Sequence, residues 1–122
     1  IDGVKIYASG DTSRTDFMYK LKDENIDYAL LPTDGIYNMD SAEASECAAI
    51  IGAKHTVPVH TKPETLFSDA VADRCSCNGK LVLHPGEEIE LVKYRLKSLG
   101  FPDFLKLFLS LPIKKYNKKQ TP

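Results

Sequence analysis

Two short stretches of this chain could hold a cation. Gly10-Asp11-Thr12 follows the apolar run Val4-Lys5-Ile6-Tyr7-Ala8, and Pro58-Val59-His60-Thr61 follows Gly52-Ala53-Lys54-His55-Thr56-Val57. Each puts a metal-capable side chain where a strand gives way to a loop. A carboxylate and an imidazole held in this way suit hard or borderline divalent cations such as zinc or manganese. Two ligands do not complete a metal site, and the remaining histidines, His55 and His84, read as a packed strand residue and a turn residue. Cys75-Ser76-Cys77 could take a soft metal, but structural zinc favours paired Cys-x2-Cys units and four ligands. Cys47 falls on the core face of a helix. No nucleophile elbow, phosphate-cradling glycine loop or dinucleotide fingerprint occurs.

The elements that must position Asp11 and His60 alternate in type. Val4–Ala8 reads as a strand. Thr15–Glu24 reads as a helix with Phe17, Met18 and Leu21 on one stripe and Thr15 or Ser13 as its cap. Asp27–Leu31, closed by Pro32, is a buried strand. Asp40 or Ser41 caps a second helix that runs through Ile51, with Ala44, Cys47, Ala48 and Ile51 at helical spacing and Gly52 as its stop. Lys54–Val59 is the next strand and Leu66–Ala72 a short helix. Lys80–Leu83 and Glu88–Leu91 read as two short strands around the Pro85-Gly86 turn. Strands alternating with helices imply βαβ units and a largely parallel sheet. Ligands of such sheets gather at the carboxyl ends of the strands. Asp11, the Pro32-Thr33-Asp34-Gly35 loop and His60 then share one edge.

Composition sets the frame. The 122 residues are 43% hydrophobic and 27% charged, with a net charge of −1, as in one ordinary domain. No stretch of 18 apolar residues predicts a membrane span. The chain opens at Ile1 with no methionine and no secretory signal, the start expected of a processed or truncated product whose three cysteines stay reduced in the cytoplasm. Residues 1–92 carry 8 basic and 16 acidic side chains, whereas residues 93–122 carry 8 basic and 1 acidic. We therefore divide the chain into a body, 1–92, and a basic tail, 93–122. The tail has no aromatic-glycine stacking motif, and a nucleic-acid partner is not expected. Phe101, Phe104, Leu105 and Phe108 form an apolar stripe between Pro102 and Pro112, with Lys114, Lys115, Lys118 and Lys119 beyond. The stripe reads as a helix that packs on its own domain, with an interfacial anchor or dimer element as the alternative.

Gly10-Asp11-Thr12, Ile26-Asp27-Tyr28-Ala29-Leu30-Leu31-Pro32, Gly35 with Tyr37-Asn38-Met39 and Glu43-Ala44, and Val57-Pro58-Val59-His60 occur in an order that resembles the second half of a metallo-β-lactamase-fold hydrolase. The branch most similar is the one that includes ascorbate-6-phosphate lactonase. The resemblance covers residues 3–91 and implies half of an αββα sandwich: one mixed sheet with helices on one face, plus the C-terminal helical tail. It implies that Asp11 bridges two divalent ions, zinc or manganese, and that His60 binds the second. Thr12 would support the Asp11 carboxylate, while Asp34, Tyr37 and Asn38 would face a small-molecule substrate. The implied reaction is hydrolysis of an ester, lactone or phosphodiester by a metal-bound hydroxide. The family's His-x-His-x-Asp-His cluster belongs to the first half of such domains and is not found here. The expectation is therefore an incomplete, inactive half that needs an N-terminal half or self-association. The alternative is a non-catalytic remnant that binds a partner, or a second copy, through its open sheet face.

Overall fold

The computed structural model describes residues 1–65 and 67–93 and the backbone of Lys115–Tyr116. Three strands, β1 (Ile6–Ala8), β2 (Tyr28–Pro32) and β3 (His55–Val59), form one sheet in the order β1-β2-β3. Both pairings are parallel, with Ala8 opposite Leu30 and Leu30 opposite Val57. The sheet expected to be mixed is thus parallel throughout its described strands. Parallel neighbours need long crossovers. The first contains α1 (Asp16–Lys20) and a 3-10 turn over Leu21–Glu24, and the second contains α2 (Ser41–Ile51). A short α3 (Asp69–Arg74) follows β3. Helices α1 and α2 pack on the sheet face that carries Ala29 and Leu31.

The core explains the helices. Ala29 and Leu31 of β2 share a buried cluster with Met18, Leu21, Ala44, Cys47, Ala48 and Ile51. A five-residue helix is unstable alone, so α1 depends on burying Met18 and Leu21. Burying one such side chain contributes about 1.5–3 kcal/mol. α2 has its own start and stop. The Asp40 carboxylate accepts the Glu43 N–H at 2.8 Å, and Gly52 closes the helix at φ +67.

The opposite face of the sheet carries Ile6, Tyr28, Leu30, His55 and Val57, because successive side chains alternate. His55 stacks on Tyr28 at 5.4 Å and its Nδ1 meets the Gly79 carbonyl at 2.8 Å. Ile6 is 40% exposed there. His55 donates its N–H inward to Asp27, so Pro58 turns its missing N–H outward, where the ladder loses nothing.

Several boundaries differ from the sequence reading. Phe17 is 55% exposed and leaves the core stripe to meet Tyr7 at 6.3 Å. The first helix tightens into the 3-10 turn after Lys20 and stops at Asn25, whose φ is +53. Thr15 is the N-cap residue, but its side chain makes no capping bond. The third helix starts at Asp69 rather than Leu66. Lys80–Leu83 is not a strand: Lys80 makes one bridge to Thr56, and the Leu81 N–H bonds the Thr56 carbonyl at 2.9 Å. The chain then turns at His84–Glu87, and Glu88–Ile89 (β4) pairs antiparallel with Lys115–Tyr116 (β5) instead. The helix expected within 101–111 lies outside the described residues. No described helix is long and apolar enough to cross a membrane.

Candidate metal centre

Asp11, Asp34 and His60 each follow the carboxyl end of one of the three parallel strands. Gly10 has φ +67, a conformation glycine adopts without the strain a Cβ brings, and it turns the chain directly after β1. His60 has φ +46, rare for a residue with a side chain although histidine is among the more tolerant. The turn brings its ring back over the sheet end. There His60 Nδ1 lies 3.0 Å from Asp11 Oδ1. The imidazole is half-buried, and the Asp11 carboxylate is 72% exposed.

The loop after β2 lies against the His60 ring. Asp34 accepts the Tyr37 N–H at 3.2 Å and the Asn38 N–H at 3.1 Å. Burial pushes the Asp34 carboxyl up, but these bonds, a contact from the Asn38 side chain and the nearby His60 outweigh it and hold the carboxyl below its usual range. Asp34 therefore shapes the loop, whatever it does toward a substrate. Asn38 Nδ2 lies 3.3 Å from His60 Nδ1. Tyr37 is 78% exposed and Ile36 68% exposed beside the same edge. Thr12 departs from the expected role. Its hydroxyl donates to the Ser13 carbonyl at 2.8 Å instead of supporting Asp11, and its carbonyl accepts the Met39 N–H at 3.2 Å. The threonine ties the first loop to the second.

One ring nitrogen thus faces two partners. A protonated Nδ1 can donate to the Asp11 carboxylate, but it then opposes the amide hydrogens of Asn38. An unprotonated Nδ1 accepts from Asn38 but turns a lone pair toward a carboxylate. Asn38 Oδ1 is buried without a hydrogen-bond partner. A cation shared by Asp11 and His60 would accept both the carboxylate charge and the Nδ1 lone pair. Two donors each about 2.0–2.2 Å from a metal ion are roughly 3 Å apart at a right angle, as in five- or six-coordination, and about 3.3–3.6 Å apart at the tetrahedral angle. The donor types and the 3.0 Å spacing both fit such an ion. Among the described residues, no group of three His, Cys, Asp or Glu side chains could hold one.

The sequence comparisons point the same way. A metal-dependent hydrolase of the UPF0173 group from Alkaliphilus metalliredigens is 47% identical over 58 residues, 48% of this chain and 26% of its own. One from Methanoregula boonei is 36% identical over 99 residues, and one from Thermococcus onnurineus 35% over 105. These alignments take in 75% of this chain and 44% and 43% of the respective relatives. The relatives are metal-dependent hydrolases by name. The chain spans less than half the length of the curated relatives it matches. No protein-family model matches it.

The other residues considered for metal binding have different partners. His84 Nε2 lies 2.6 Å from Asp69 Oδ1, and its Nδ1 lies 3.3 Å from Glu87 Oε2. Its ring also rests against Phe67 at 4.9 Å. The hydrogen bonds to Asp69, then to Glu87, raise its pKa above the ordinary 6.5. The three cysteines are free thiols; Cys47 is buried in the core as its helical spacing predicts. The Asn38 contact with His60 was not readable from sequence, because nothing in a loop's composition says which neighbouring strand end it will lean toward.

Proposed function

We propose that this chain supplies part of the divalent-metal centre of a metallo-β-lactamase-type hydrolase, with Asp11 and His60 as two of its ligands. The 3.0 Å approach of a carboxylate and an imidazole 49 residues apart carries the reading. The names of the relatives and their greater length support it, the remaining donors coming from outside the described residues. What a divalent ion supplies when bound is Lewis acidity, which lowers the pKa of a water toward neutrality and polarises the scissile ester, lactone or phosphodiester.

The chain's own residues prepare that chemistry. Asp11 offers negative charge at the exposed edge. Asn38 Nδ2 rests 3.3 Å from His60 Nδ1 and limits how far the ring can turn away from Asp11. Asp34 braces the loop that carries Asn38 and leaves Tyr37 open toward a small-molecule substrate. The ions in the complete domain are zinc or manganese, the whole domain is the αββα sandwich, and the branch is that of the ascorbate-6-phosphate lactonases. Alone, the chain binds metal weakly and does not turn over substrate.

Equilibrium dialysis against zinc and manganese tests the reading. Asp11→Ala and His60→Ala are each expected to weaken binding by at least ~10-fold, since even outer-partner changes commonly cost that much. Wild-type affinity in both variants would overturn it.

The exposure of Ile6 on the face without helices favours a second reading, a non-catalytic remnant that self-associates through that face. It requires a metal-free oligomer. A monomer at high concentration by light scattering would exclude it.

A further inference from the structure

Cys75 and Cys77 lie outside the candidate metal centre, and the reading above makes no use of them. Their sulfurs are 3.2 Å apart, and either can be the donor of the hydrogen bond between them. Cys75 ends α3 and is fully buried in the core cluster, while Cys77 is only partly covered. The loop that carries them is fastened on both sides. The Ser76 N–H donates to Ser45 Oγ at 2.8 Å, and Ser45 Oγ lies 3.8 Å from Cys75 Sγ. Thr56 touches Cys77 from β3, and the Lys80 charge acts on both sulfurs.

We propose that Cys75 and Cys77 form a dithiol site that a hydroperoxide converts to an intrachain disulfide. A disulfide needs its sulfurs about 2.05 Å apart, so they must close by about 1.2 Å. The residues are two apart in one loop, and no packed element has to cross the core for this. Cys77 is the sulfur a solute reaches, and Cys75 waits behind it.

The surroundings favour thiolate character. The hydrogen bond from Cys77, aided by Ser45 and Lys80 against the cost of burial, brings Cys75 down to about 6. The same hydrogen bond pushes Cys77 up, so one proton serves both sulfurs. When the proton shifts to Cys75, the Cys77 thiolate attacks the outer oxygen of the hydroperoxide. The O–O bond breaks, and the leaving alkoxide takes a proton to become an alcohol. Cys77 is then a sulfenic acid. The Cys75 sulfur attacks the Cys77 sulfur, the S–O bond breaks, and hydroxide leaves as water with the second proton. Two thiols lose two electrons and two protons, and the hydroperoxide becomes alcohol and water.

Treatment of the purified full chain with one equivalent of tert-butyl hydroperoxide, with a chelator present, tests this independently of the metal reading. The intact mass should fall by two hydrogens. Iodoacetamide labelling should drop from three cysteines to Cys47 alone, and the tryptic peptide Cys75–Lys80 should regain two labels after reduction. The Cys47→Ala variant should behave in the same way. In Cys75→Ser, dimedone should trap a sulfenic acid at Cys77. Retention of all three labels, oxygen addition at Cys77 with no sulfur–sulfur bond, or a covalent dimer would overturn the proposal.

Discussion

The His60 ring reaches Asp11 across the end of a strand to which neither belongs. β1 and β3 flank β2, so their tips are two strand spacings apart, about 9.5 Å. The 3.0 Å contact between His60 Nδ1 and Asp11 Oδ1 closes that gap over the loop that starts at Thr33. That loop is therefore the floor of the site, and Asn38 is its contact with the ring.

This arrangement makes Asn38 a positioning residue. Asn38→Ala removes the partner at 3.3 Å and frees the imidazole to rotate. Zinc affinity measured by competition with a chromogenic chelator is expected to fall severalfold, while the far-UV circular dichroism stays unchanged. Asn38→Asp, which keeps the side-chain shape but puts a carboxylate oxygen where the Nδ2 donor stood, should recover part of the affinity.

His60→Gly separates stability from metal binding. The left-handed backbone at φ +46 costs a residue with a Cβ about 1–2 kcal/mol, and glycine removes that cost. The glycine variant should unfold in urea at a midpoint equal to or above that of the wild type while losing metal affinity. His60→Val, β-branched at the same backbone angle, should unfold earlier than both.

His84 gives stability a pH dependence. Its bonds to Asp69 and Glu87 raise its pKa above 6.5, so the folded state holds the proton more tightly than the unfolded chain. The contribution is complete below about pH 6.5, while both carboxylates remain ionised, and fades as pH rises through the raised value. His84→Gln should narrow the difference between urea midpoints measured at pH 6 and pH 8. An unchanged difference would remove His84 as its source.

Tyr28 fastens the end of the body to the central strand. The Val92 N–H donates to Tyr28 Oη at 2.9 Å, and the hydroxyl faces the Val92 carbonyl at 3.5 Å. Burial raises the phenol pKa, against the bond to Val92. Tyr28→Phe should cost about 1 kcal/mol and speed amide exchange at Val92 more than at Leu31.

The parallel core was legible because its signals are local and agree. Asp40 and Gly52 bracket α2, its four predicted core positions are all buried, and each strand carries a short apolar run. The approach of Asp11 to His60 follows from the alternation, since successive parallel strands present the same end. Less was legible where long-range pairing decides. Lys80–Leu83 has strand composition, yet it makes a single bridge, and in β4 Ile89 finds its partner, Lys115, 26 residues downstream, beyond any local pattern. Phe17 has the right spacing for the core, but Met18 and Leu21 fill the available surface and leave it outside. The Thr12 hydroxyl donates to the adjacent Ser13 carbonyl, a bond that depends on turn geometry that residue types do not encode.

A Cβ on Gly79 would stand 2.0 Å from the Lys54 carbonyl oxygen, so backbone lies directly on backbone where β3 begins. The segment after the cysteine-bearing loop and the strand that leads to His60 are consequently held close here, as they are at the neighbouring bond from Leu81 to Thr56. A methyl group there would have to lever the two apart, and a disturbance at the start of the strand would travel along its length to the imidazole. The residue whose side chain is a single hydrogen thus governs how faithfully the thiol loop and the metal-facing edge keep their distance.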